Sequence, residues 1–319
     1  MPPPHLHPST ADVQRTHSWL RRLAWLCAVM MLVITSLSAF IRLVNTGVGC
    51  TPWPACYGQP GTHATGGEQA GASQAAVATA RAAHRVIASS SLVVILALLA
   101  LALKRRLHQQ ARHAAALLAL ALFLAGLGAG ARSSPLPAVT LGNLLAGLGM
   151  IVLSVRLARL PDAADSGTGA SPLARWAWVA LALAFMQAAF GAMVSSTHAG
   201  LSCPTWGMCD LSQASWQALN PWLAPAAGTS ASHAGGALIH LLHRAAALAL
   251  LGFLAFMAWR AMRLDKPWVA TACVALPALQ ILLGLGLVAQ QLPLGGTWTH
   301  NLLAALLLAL LAILTTARR

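Results

Sequence analysis

Acidic side chains are scarce in this chain: its 319 residues include six Asp and Glu against 20 Lys and Arg, and only 8% are charged. A soluble domain carries roughly 25% charged residues, so this surface is not built to meet water on every side. The six acids, Asp12, Glu68, Asp162, Asp165, Asp210 and Asp265, all fall outside the long apolar runs. Ion-coupled transporters usually keep a carboxylate inside the membrane, so its absence from the runs weighs against that class. No cleavable signal peptide is expected, because the polar N-terminal tail leads into an apolar run long enough to span. The net charge of +14 invites a nucleic-acid reading, but the placement of the charges rejects it. Basic residues sit in short clusters between apolar runs, as a membrane orientation signal requires.

Hydrophobic residues make up 58% of the chain. Crossing a bilayer as helix takes about 20 apolar residues. Spans are expected near 23–42, 76–103, 114–131, 138–156, 175–195, 233–258, 268–289 and 298–315. Only helices or closed barrels satisfy their backbone groups in lipid, and these Ala/Leu-rich runs are too long for barrel strands. Of the 20 basic residues, 15 fall on one side of the spans, including Arg21, Arg22, Lys104, Arg105, Arg106 and Lys266. The other side keeps Arg42, Arg81 and Arg132, while Arg85 and Arg244 lie inside helices. Both termini are therefore expected in the cytoplasm, and the loops near 43–75 and 196–232 outside it.

The chain repeats itself. Segment 44–56 echoes 197–209, His84-Arg85 echoes His243-Arg244, and 140–148 matches 298–306 without a gap, at offsets of 153, 159 and 158 residues. One four-helix unit has been duplicated. Four spans is an even number, so the copies share one orientation. The expected fold is an all-α polytopic membrane protein, with eight transmembrane helices in two tandem four-helix bundles related by a pseudo-two-fold axis along the membrane normal. The parts are a cytoplasmic tail at 1–22, an N-terminal half at 23–156, a linker at 157–174 and a C-terminal half at 175–319.

Cys50 and Cys56 enclose five residues, as do Cys203 and Cys209, and both pairs lie in outer loops. An oxidising compartment makes two disulfides plausible, either as loop staples or as exposed, reducible bonds with a redox role. Metal binding by these four fits poorly, because the spacing is longer than that of a zinc knuckle. Cys27 and Cys273, within spans, are expected to be packing residues.

The intramembrane histidines are the stronger signal, since a histidine in lipid faces the bundle interior. His84 and His243 hold equivalent places, and His300 opens the eighth span. Two neutral imidazoles on facing helices can supply both axial ligands of one heme iron, and the adjacent Arg85 and Arg244 suit propionate carboxylates. The alternative is that each histidine hydrogen-bonds another helix. His240, one turn before His243, can share its face as a supporting or proton-handling group. His63, His198 and His233 belong to the outer loops. Trp53 and Trp206 occupy matching places inside the cysteine loops, where interface anchoring explains them as well as heme stacking does.

The duplicated unit, the tryptophan-bearing cysteine loops, the two His-Arg pairs and the late His300 together resemble the heme A synthase family over nearly the whole chain. The resemblance implies oxidation of a methyl group of heme O to the formyl group of heme A for cytochrome oxidase, in a bacterial inner membrane. It also implies that His243 and His300 hold the iron of a heme b cofactor. The N-terminal half then takes heme O as substrate, with His84 as its catalytic histidine. Implied partners are heme O synthase, oxidase assembly factors and the lipid bilayer, with no nucleic acid. The sequence departs from the family twice: Gly142 stands where a fourth histidine is usual, and Arg81 where a glutamate is. Rival readings are a heme-binding electron-transfer or oxidase-assembly protein without synthase activity, and a small-molecule transporter.

Overall fold

The computed structural model describes residues 10–48, 50, 67–130, 134–160, 169, 171–205, 209–226 and 229–317. Among these, every regular element is helical. The long helices are α1 (Thr10–Asn45), α2 (Gly67–Lys104), α3 (His108–Gly130), α4 (Pro137–Ala158), α5 (Pro172–Ser196), α7 (Ala237–Met262), α8 (Pro267–Ala289) and α9 (Leu294–Thr315). A short α6 (Gln213–Gln217) lies in the loop before α7. Eight of them are long and apolar enough to cross a membrane, and none of the six acids lies in those spans. The protein is a multi-pass helical membrane protein.

Six of the eight expected spans fall wholly within these helices. The third was expected to end one residue past α3, and the sixth to begin at 233, four residues ahead of α7, while other helices run further than expected. α1 starts 13 residues before the expected span, at Thr10, and α2 starts at Gly67 rather than near 76. Lipid thickness sets where apolar sequence must begin, whereas caps and propensity set where helix begins. Pro137, Pro172 and Pro267 open α4, α5 and α8 at a position that has no intrahelical N–H bond to lose. Ser171 caps α5 by accepting the Leu173 N–H at 3.3 Å.

Helices α1 to α4 pack in a ring of neighbours, α1 on α2 and α4, with α3 between α2 and α4. In the second set, α5 packs on α7 and α9, and α8 closes between α7 and α9. The two sets join through α4 on α9, α1 on α9 and α4 on α5. One core runs through this junction, where Ile151 and Val155 of α4 are buried with Leu308 and Leu311 of α9. Lipid gives no hydrophobic drive between helices, so close approach must come from small side chains. Ala177, Ala180 and Ala184 of α5 and Ala305 and Ala312 of α9 supply it, all buried. Polar ties add to it: Trp298 of α9 donates to the Ser36 carbonyl of α1 at 3.0 Å, and Arg42 of α1 donates to Ser195 of α5. Outside the core, Leu122, Phe123 and Leu282 point outward, as lipid-facing side chains do.

Candidate functional site

A cavity of about 250 Å³ lies among α5, α7, α8 and α9, with α1 and α4 closing one side. Helical periodicity builds its walls. On α7 the residues reaching it include His240, His243, Arg244 and Ala247; on α9 they include Thr297, His300, Asn301 and Ala304. Both sets follow the i, i+3, i+4, i+7 spacing of a single helix face.

His243 and His300 face each other across this space, with ring centres 6.4 Å apart and planes inclined by 62°. Metal–imidazole bonds of about 2.0 Å, plus roughly 1.1 Å from nitrogen to ring centre, put two trans imidazoles on one metal about 6 Å apart. The observed separation lies close to that value. His300 Nδ1 and His240 Nδ1 are buried and have no hydrogen-bond partner. His243 Nδ1 lies 3.2 Å from the Gln187 amide. Arg244 lines the cavity and also reaches outward, with Nη1 3.8 Å from the Cys203 sulfur. Arg42 lines the opposite wall and donates to Asn301 at 3.5 Å.

Cys203 and Cys209 form a disulfide with Cα atoms 4.9 Å apart, so their sulfurs are not free thiolate ligands. Cys50 is also disulfide-bonded. Its expected partner Cys56, together with Trp53, Trp206 and His63, lies outside the described residues. Cys27 and Cys273 are free and buried, as packing residues are. Among the described residues, no three His, Cys, Asp or Glu side chains gather as a metal site. In the outer loop, His233 donates from Nε2 to the Thr197 carbonyl at 3.0 Å. Burial holds the imidazoles of both His233 and His198 below the ordinary histidine range, and in His198 the neighbouring His233 adds to it.

His84 and Arg85 sit apart from this cavity, on α2, where His84 is half-buried and Arg85 exposed. Arg81 donates to Asn45 at 3.2 Å, tying α2 to the end of α1. A Cβ at Gly142 would meet Leu127 at 3.5 Å and Phe123 at 3.7 Å, ordinary contact distances, so close packing does not require glycine there. The fold thus brings together His243, His300 and Arg244 of the expected site residues. It adds Arg42, Gln187 and Asn301, which the sequence reading did not single out. Their signal was present, since a polar side chain within an apolar run is costly unless it meets a partner.

The fold and this site define a class: a polytopic helical membrane protein with paired imidazoles across an intramembrane cavity. The family model for cytochrome oxidase assembly proteins, COX15-CtaA, matches residues 21–312. A relative, the heme A synthase of Shewanella oneidensis, is 28% identical over 314 residues, covering 91% of this chain and 93% of that protein. The chain belongs to the COX15-CtaA family of cytochrome oxidase assembly proteins.

Proposed function

We propose that the chain is a heme A synthase, which oxidises a methyl group of heme O to a formyl group. The observation that carries this reading is the His243–His300 pair, 6.4 Å apart across a cavity in a family member. These two imidazoles would hold the iron of a heme b, and Arg244 and Arg42 are the cations on the cavity wall for its propionates. A heme held by these residues would supply one-electron redox chemistry. The protein's own part is to hold those ligands and to keep water out with apolar walls such as Leu144, Leu148 and Leu308.

His84 orients heme O in the N-terminal half, residues 23–156, while 175–319 form the heme b half, joined to it by a cytoplasmic linker at 157–174. Two features support the pairing of halves. Duplication exchanges α1 with α5 and α4 with α9, and it thereby exchanges the α1–α9 contact with the α4–α5 contact. Arg42 and Ser195, which touch, are 153 positions apart, an offset of the repeat. The clustering of basic residues supports both termini, including the tail at 1–22, facing the cytoplasm of a bacterial inner membrane.

Gly142 and Arg81 favour a second reading, a heme protein of oxidase assembly without synthase activity, because His84 is then the one histidine of the N-terminal spans on the outer side. One experiment decides. Co-expression with a heme O synthase, followed by chromatography of the extracted hemes, yields heme A if the first reading holds. Accumulated heme O with no heme A overturns it in favour of the second.

A further inference from the structure

Two of the three histidines lining the cavity, His243 and His300, rest against the same short frame on a neighbouring helix. On α5, Gln187 and Gly191 stand four residues apart, and both meet His243. The Gln187 amide lies 3.2 Å from Nδ1, and a Cβ on Gly191 would lie 3.0 Å from Cε1, so the ring would have to give way by a few tenths of an ångström. On α8, Gln280 and Gly284 meet His300 in the same order. Gln280 donates to the His300 main-chain carbonyl at 3.0 Å, and a Cβ on Gly284 would lie 3.5 Å from Cε1. Glutamine followed four residues later by glycine therefore occurs on two helices, once for each histidine.

The polarity of the Gln187 amide decides what this frame does. With its nitrogen towards the ring, the amide donates to Nδ1, the ring proton sits on Nε2, and the Gln187 oxygen is left buried without a partner. A half-turn of the amide changes nothing in shape and moves the buried NH2 into the oxygen's place, so burial alone does not choose between the two orientations; a metal on Nε2 does. The oxygen then accepts the Nδ1–H, and Nε2 keeps its lone pair for a metal. A ring nitrogen held in this way fixes both tautomer and orientation of a metal-binding histidine.

Resting on the reading that His243 and His300 hold a heme iron, the geometry points to Gln187 as the positioning residue that selects the metal-binding tautomer of His243, with Gln280 fixing the main chain that carries His300. Counted back by the repeat offsets of 153 and 158, these glutamines meet Ile34 and Leu122 in the N-terminal half. Neither can accept a hydrogen bond. The frame is thus a property of one half, as suits a resident group held permanently rather than a substrate that leaves.

The test uses the full-length protein in detergent, with heme b titration, optical spectra and a redox titration of the bound heme. Gln187→Met keeps the volume and removes the acceptor; it weakens heme b binding about tenfold and raises the midpoint potential, because the ligand becomes less basic. Gln187→Glu supplies a stronger acceptor, retains heme and lowers the potential. Opposite shifts from one position are not the signature of lost packing. Unmoved potentials, or two shifts of the same sign, overturn the inference. If Gln187→Met does not fold, the Glu variant decides alone, and a potential that fails to fall overturns it. A wild-type low-spin heme that survives His243→Ala overturns the ligand reading itself, and this inference with it.

Discussion

Arg42 near the end of α1 hydrogen-bonds Ser195 near the end of α5, and the same guanidinium reaches Asn301 on α9. One side chain from the first set of helices thus ties two helices that wall the cavity in the second. Arg42→Ala is expected to loosen this junction. Interhelical hydrogen bonds in membranes are worth about 1 kcal/mol, so a small drop in thermal midpoint is predicted. Combining it with Ser195→Ala should cost less than the sum of the two, because they share one bond. Additive losses would show that the contact carries no energy.

The histidine pair makes a spectroscopic prediction. Purified protein is expected to carry low-spin b-type heme, lost in His243→Ala and in His300→Ala and largely retained in His84→Ala. The reverse pattern, with His84 essential and His300 dispensable, would move the heme to the other half.

A Cβ at Gly142 would make ordinary contact with Leu127 and Phe123, so the backbone there accepts a side chain and Gly142→His is expected to keep its helix content. Two imidazoles give low-spin iron, whereas one imidazole with a weak or water ligand gives high spin. The variant should shift heme bound in the N-terminal half towards low spin and tighten its retention. Turnover should slow, because tighter binding of substrate alone gains nothing at the transition state. An unchanged spectrum in a folded variant would sink the idea of a vacant ligand position.

The outer cysteines test orientation. After reduction of intact cells, an impermeant thiol reagent should label Cys209 faster than Cys203, because Cys209 is partly exposed and Cys203 is fully buried. Labelling that requires the inner membrane to be opened would invert the topology.

His198 and His233 give the outer segment a pH dependence. Their folded-state pKa values are lowered by burial, so each is neutral when folded and binds protons more tightly when the segment opens. Stability is then complete above the unfolded value of about 6.5 and is lost as pH falls below it. Hydrogen-exchange protection at residues 197–233, corrected for the intrinsic pH dependence of amide exchange, should fall between about pH 6.5 and 5, and His233→Gln should flatten that profile. Corrected protection that is independent of pH would show that neither ring is protonated on opening.

Much of this protein is determined by sequence alone, for a physical reason. Lipid cannot satisfy a backbone, so long apolar runs without acids fold as spanning helices, and all eight of them do. His243, His300 and Arg244 were equally legible, because polar groups in such runs need partners and the His-Arg pair occurs twice. Local sequence is silent on which partners they find. The 6.4 Å approach of His243 to His300 depends on how α5 and α8, each packed on both α7 and α9, hold those two helices on either side of the cavity. The packing of α1 on α9 places Arg42, from the other half of the chain, on the wall of this cavity, and His84 and Arg85 lie away from it. Gln187 and Gln280 read as isolated polar interruptions until α5 and α8 set them against the two histidines. Contacts between helices far apart in the chain are a property of packing, and only the tertiary structure decided them.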